Sequence, residues 1–139
     1  MKHLLTNNAK AKVVQNISAY LLNQYKKISS AYIFGSFITS DAFSDIDLGV
    51  LTNVELEKPL NFELELENRL ERIIKYPVDA RILNGAPVSF CQNVFRKGEV
   101  IVDRDPNQRA DFEGRILKQY FDFSYFRREY LKEVLNAPI

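Results

Sequence analysis

The chain has a single cysteine, Cys91, and a single histidine, His3, in 139 residues. One cysteine excludes an internal disulfide, and one histidine leaves no Cys/His zinc set and no convincing Ser-His or Cys-His nucleophile pair. Long hydrophobic runs are also absent. No stretch approaches the roughly 18 apolar residues of a membrane span, and the N-terminal "MKHLLTNNAKAK" lacks the apolar centre of a signal peptide. A cytoplasmic protein without a membrane partner is therefore expected. Neither sign of charge is in excess: 19 basic against 18 acidic residues give a net charge of +1, so no overall field draws the chain to nucleic acid or an anionic membrane. Hard chemistry is left to carboxylates, hydroxyls and cations.

What is present suits one core. A hydrophobic content of 46% over 139 residues fits a single domain spanning 1–139. Residues 8–27 place Val13, Val14, Ile17, Leu21, Leu22 and Tyr25 at helical spacing, which predicts an amphipathic helix. "SAYIFGS" predicts a strand stopped at Gly35, and "FITSDAF" a turn. In the next strand, "DIDLGVL", Ile46, Leu48 and Val50 form one apolar face and Asp45, Asp47 and Gly49 the other. Pro59 opens a helix with Leu66, Leu70, Ile73 and Ile74 on one side, although "FELELE" alternates like a strand. "PVDARIL" predicts a third strand with Asp79 and Arg81 facing away from Val78, Ala80 and Ile82. A short helix from Pro87 should close at Gly98 with a left-handed cap, and "EVIVDRD" should form a fourth strand. From Pro106 to about Asn136 the pattern is one long helix. The order is roughly αββαβαβα in an α+β fold.

Asp45 and Asp47, two apart on a strand, point the same way with Cα atoms about 6.5–7 Å apart, close enough for both carboxylates to hold one or two metal ions. Asp79 occupies the matching face of a strand able to lie alongside. Three clustered carboxylates repel, so without a counter-ion at least one should have a raised pKa. Hard oxygen donors with no soft ligand select Mg²⁺ or Mn²⁺, and Mg²⁺ commonly shares its shell with substrate phosphates. Gly35 and Ser36 offer such phosphates exposed backbone N–H groups and a hydroxyl, and Arg81 is a candidate phosphate partner or an ion-pair partner of a neighbouring Asp. The chemistry that follows is an in-line displacement at phosphorus assisted by two metal ions, with Asp79 also placed to accept a hydroxyl proton. Asp41, Asp103 and Asp105 fall in turns or at a cap and are expected to be structural, and Cys91 to be a small core residue.

"GSFITSDAFSDIDLGV" followed by "VDARI" resembles the signature of the DNA polymerase β superfamily of nucleotidyltransferases. The stretch from Asp103 to Glu133 is similar to the C-terminal helix of minimal members, the MntA group of antitoxins paired with HEPN ribonuclease toxins. The resemblance implies a mixed sheet of about four strands flanked by helices, with Asp45, Asp47 and Asp79 as catalytic metal ligands and Gly35, Ser36 and Arg81 binding the nucleotide. It also implies ATP as substrate, two Mg²⁺ ions, and transfer of AMP to a tyrosine hydroxyl of the toxin, a type VII-like antitoxin activity within a hetero-oligomer. The loop between Ser36 and Asp45 is short for the family, and Ser40 stands where many members carry a second glycine. The near-neutral charge disfavours a templated polymerase and direct nucleic-acid binding.

Aromatic residues crowd the last helix beyond the single stripe that packing on one sheet requires. Tyr120, Phe123, Phe126, Arg127 and Tyr130 have the composition of a partner interface. Two alternatives stand beside protein AMPylation: transfer to a small hydroxylated molecule such as an aminoglycoside, and a non-catalytic antitoxin that neutralises its partner by binding alone.

Overall fold

The computed structural model describes residues 2–136. The chain begins with β1 (His3–Leu4), α1 (Asn7–Gln24), β2 (Ile28–Phe34) and the short α2 (Ser36–Thr39). It continues through β3 (Ala42–Phe43), β4 (Ile46–Thr52), α3 (Pro59–Ile74) and β5 (Val78–Ile82). It closes with α4 (Val88–Lys97), β6 (Glu99–Asp103) and α5 (Pro106–Asn136). The α+β reading and the long last helix are borne out. The two-residue strands β1 and β3, which pair with His3 opposite Phe43, were not anticipated, because two residues carry no periodicity to detect.

The main sheet has the order β5-β4-β2-β6. β2 runs antiparallel to both β4 and β6, whereas β4 and β5 are parallel, with α3 as their crossover. Ile17, Leu21, Ile46, Leu48, Leu66 and Leu70, each with no exposed surface, fill the layer between α1, α3 and one sheet face. On the second face Tyr32, Leu51 and Leu83 pack with Cys91 and Val94 of α4 and Phe112 and Ile116 of α5. Cys91 is thus a core residue, as expected. The far face of β4 is consequently not open along its whole length. Gly49 lies beneath Leu83, and Leu51 belongs to the second core, so only the end bearing the aspartates is free of that layer.

Several details correct the pattern. The side of α3 that enters the core is Leu66, Leu70 and Ile74, a strict four-residue column, while Ile73 is 42% exposed; Leu22 on α1 is likewise 44% exposed. Gly98 is not left-handed but extended, at φ −91° and ψ 176°. Glycine is required there because a β-carbon would lie 2.6 Å from the Val94 carbonyl oxygen and 2.9 Å from that of Ile33. Asp105 caps α5 by accepting from the Gln108 amide at 3.1 Å. Asp103 lies 3.0 Å from Arg109, which also pairs with Glu113, itself the acceptor for the Tyr32 hydroxyl at 2.8 Å; this chain of contacts ties the first turns of α5 to β2 and β6.

β5 is an edge strand, yet its outward amides are occupied. Glu71, Glu67 and Glu63 of α3 accept from the backbone N–H groups of Val78, Ala80 and Ile82 at 2.9, 2.7 and 2.8 Å. The "FELELE" alternation that looked strand-like belongs to a helix whose glutamates serve the neighbouring strand.

Candidate active site

Burial of Ile46, Leu48 and Val50 on the α1/α3 side turns Asp47 to the opposite face of β4, whereas Asp45, expected within the strand, stands in the bend immediately before it. The parallel register sets Asp47 directly against Asp79 of β5. Asp45, Asp47 and Asp79 each present a carboxylate oxygen within 4.8 Å of the others, and all three are partly buried. Burial, followed by the charges of Asp45 and Asp79, pushes the pKa of Asp47 up to about 6, with Arg81 acting weakly in the opposite direction. Arg81 is exposed and its Nε donates to Asp79 Oδ1 at 3.1 Å, so in this structure it is an ion-pair partner of the cluster. One guanidinium on one carboxylate leaves the group short of positive charge. Hard oxygen donors, close convergence and a raised aspartate pKa together fit a divalent cation.

The turn that precedes α2 is built against this cluster. Gly35 has φ 81° and ψ −160°, a conformation open essentially only to glycine, and a β-carbon there would collide with the Asp47 carboxylate. Its backbone therefore touches the side chain that the cation needs. Ser36 begins α2, whose first amides have no side-chain cap and are free to meet an anion.

Two features that hold this turn were missed from sequence. Lys10 of α1 reaches across and donates to the carbonyl oxygens of Phe37 and Ser40, both at 2.7 Å, with its ammonium 5.2 Å from the Phe37 ring centroid. A lysine on the polar side of an amphipathic helix carries no signal of this; its partners lie 27 and 30 residues away. The β1–β3 ribbon also sets the His3 ring 5.5 Å from Phe43 and 5.0 Å from Tyr76, bracing the segments that lead into Asp45 and Asp79.

The aromatic part of α5 lies apart from the carboxylates. Phe123, Phe126 and Tyr130 are 66%, 70% and 58% exposed, and Tyr120 is half-buried. With Arg127, Val88 and Ser89, Tyr120 and Phe123 line a groove of about 920 Å³ between α5 and the start of α4. The face that buries Phe112 and Ile116 thus continues outward along the helix, exposed among the described residues.

No helix among the described residues is long and apolar enough to cross a membrane. A family profile described as "Polymerase beta, Nucleotidyltransferase" matches residues 15–107. No curated protein matches the chain. Among solved structures, the MNT antitoxin in complex with a tri-AMPylated HEPN toxin of Shewanella oneidensis is 23% identical, with a TM-score of 0.71 over 91% of this chain and 98% of that one. A toxin–antitoxin complex with AMP-PNP is 24% identical, with a TM-score of 0.66 over 94% and 99%. The MntA-HepT toxin–antitoxin structure is 22% identical, with a TM-score of 0.66 over the same shares. At these identities the likeness establishes the fold. The profile spans well over half of the sequence and includes Gly35, Ser36 and the three converging aspartates, and the chain belongs to the polymerase β nucleotidyltransferase family.

Proposed function

We propose that this protein is the antitoxin of a HEPN/MNT-type pair, a single domain over residues 1–139 that acts in the cytoplasm and moves AMP from ATP to a tyrosine hydroxyl of its cognate HEPN ribonuclease toxin. The convergence of Asp45, Asp47 and Asp79 beside the Gly35-Ser36 turn carries the reading. The exposed aromatic face of α5 supports a protein partner, as do the three solved structures of similar fold described above, all toxin–antitoxin ones, one with an AMPylated toxin and another with an ATP analogue.

In this reading the Gly35-Ser36 turn seats the triphosphate through backbone N–H groups and the Ser36 hydroxyl. Asp45, Asp47 and Asp79 would hold Mg²⁺, or Mn²⁺ in its place, in a two-ion arrangement. When bound, the cations supply charge stabilisation at the attacking and leaving oxygens. The acceptor hydroxyl oxygen attacks the α-phosphorus in line and forms a phosphoester. The α–β anhydride bond breaks and pyrophosphate leaves, while the hydroxyl proton passes to a carboxylate, with Asp79 the one proposed to receive it. Arg81, freed from Asp79 as phosphate charge arrives, would pair with the nucleotide. Tyr120, Phe123, Phe126, Arg127 and Tyr130 would grip the toxin.

The test mixes the purified chain with labelled ATP, Mg²⁺ and the product of the adjacent gene. Label on a tyrosine of a HEPN-type partner is expected, with loss of transfer in the Asp45→Asn plus Asp47→Asn variant. Undiminished transfer in that variant would overturn the assignment of the site. Full neutralisation of the toxin by that variant would replace catalysis with binding alone, and transfer only to an aminoglycoside-like hydroxyl would replace the protein acceptor.

A further inference from the structure

Asp79 is the one carboxylate of the cluster on an edge strand, so something other than a second neighbouring strand must hold it in place. In β5 the side chains of Val78 and Ala80 are buried under α3, and the N–H groups of these residues face out of the sheet. Glu71 takes the amide just before Asp79, and Glu67 takes the amide just after it. The fit is a matter of pitch. Four residues of helix advance about 6 Å and two residues of strand about 6.6 Å, so glutamates spaced four apart meet amides spaced two apart with a slip of only about 0.6 Å per rung. α3 and β5 therefore interlock in one register. A shift of β5 by one residue would turn Asp79 into the core and break every rung.

We propose that Glu67 and Glu71 are positioning residues for Asp79: their carboxylates clamp the backbone on either side of it and hold its side chain opposite Asp47. The proposal rests on the nucleotidyl-transfer reading in that Asp79 is taken there as a metal ligand. It goes beyond that reading by assigning function to two residues that do not touch the converging oxygens. Because the clamp acts through hydrogen-bond acceptance, a glutamine, which keeps an acceptor oxygen, can replace either glutamate, whereas alanine cannot.

The test uses the full chain with Mn²⁺ alone as the probe, together with hydrogen exchange at the Ala80 amide. Glu67→Ala is expected to unfold cooperatively, bind Mn²⁺ about tenfold more weakly, and exchange the Ala80 amide faster. In the transfer assay its loss should fall on kcat and on the metal dependence, leaving the nucleotide KM within about twofold. Glu67→Gln should stay close to the parent. Glu65→Ala, which removes an exposed partner of Arg69 from the same helix, should change none of these. If Glu67→Ala does not fold, Glu67→Asp, one methylene too short to reach, carries the same expectation. Parent-like Mn²⁺ binding by a folded Glu67→Ala or Glu67→Asp variant would overturn the proposal, as would a glutamine variant that falls as far as alanine. A parent chain that binds no Mn²⁺ would overturn the nucleotidyl-transfer reading instead, and the Ala80 exchange would then decide the clamp by itself, unchanged protection in the variant counting against it.

Discussion

Asp47 is caught between burial and two neighbouring carboxylates, and its pKa of about 6 stands above the 3.8 of an ordinary aspartate. Between those values the folded state holds more proton than the unfolded one, so the stability linked to this group is complete below about pH 4 and is lost as the pH rises through about 6. Without metal, Asp47→Asn should therefore be more stable than the parent at pH 7.5 by about 1 kcal/mol, the shift being discounted for partial exposure. The gap should close at pH 4. Urea titrations with a chelator at the two pH values measure it; an equal gap at both would show that burial of Asp47 carries no such penalty. Gly35→Ala should destabilise by about 1–3 kcal/mol from backbone strain alone, and nucleotide binding should fall with it, since the added methyl displaces Asp47. Denaturation and ATP titration of that variant check both parts. These residues were legible because their logic is local: strand alternation isolates Asp47, Asp45 is two residues before it, and a Gly-Ser pair marks the turn. Lys10 was not, since only the fold brings it to Phe37 and Ser40.

Elements divide between those whose pattern is self-contained and those shaped by a neighbour. β4 and α5 are legible close to their bounds from periodicity, with Asp105 as the cap of α5, and α1 runs three residues short of the 8–27 that its apolar stripe predicts. The glutamates of α3 follow a four-residue spacing whose purpose exists only once β5 is alongside, and β1 and β3 are too short to announce themselves. For the same reason the cap geometry of Gly98 was misjudged: its lack of a side chain serves Ile33 on a different strand. α5 combines both kinds of behaviour, its first turns packed and its later ones bare. Phe123→Ala with Phe126→Ala should leave the unfolding free energy almost unchanged, within about 0.5 kcal/mol, yet weaken binding to a HEPN partner by about 30-fold or more. Leu70→Ala, on the fully buried column of α3, should cost about 2–5 kcal/mol in stability. Titration calorimetry with the partner and denaturation of each variant separate the two; a large stability loss in the double phenylalanine variant would mean that this stretch packs against its own chain.

At the scale of the whole molecule, cation and nucleotide binding should appear as added stability, because the proposed ligands come from two strands that unfolding separates. Mn²⁺ with ATP at about 100 times the dissociation constant should add about 2.7 kcal/mol, reversed by a chelator. The Asp45→Asn plus Asp47→Asn variant should show no such gain in a thermal melt. The sheet as a whole also has two unlike ends. An uncovered strand edge is a template on which another copy can add, and a sheet uncovered at both ends can grow without limit. Here the amides of Val78, Ala80 and Ile82 are already engaged by glutamates, leaving them no vacancy for an incoming strand. Within the four-stranded sheet, edge-to-edge association is left to β6, and two copies joined there would present their closed β5 ends at the two limits of the joined sheet. The glutamates of α3 would thereby also limit pairing through this sheet to two copies.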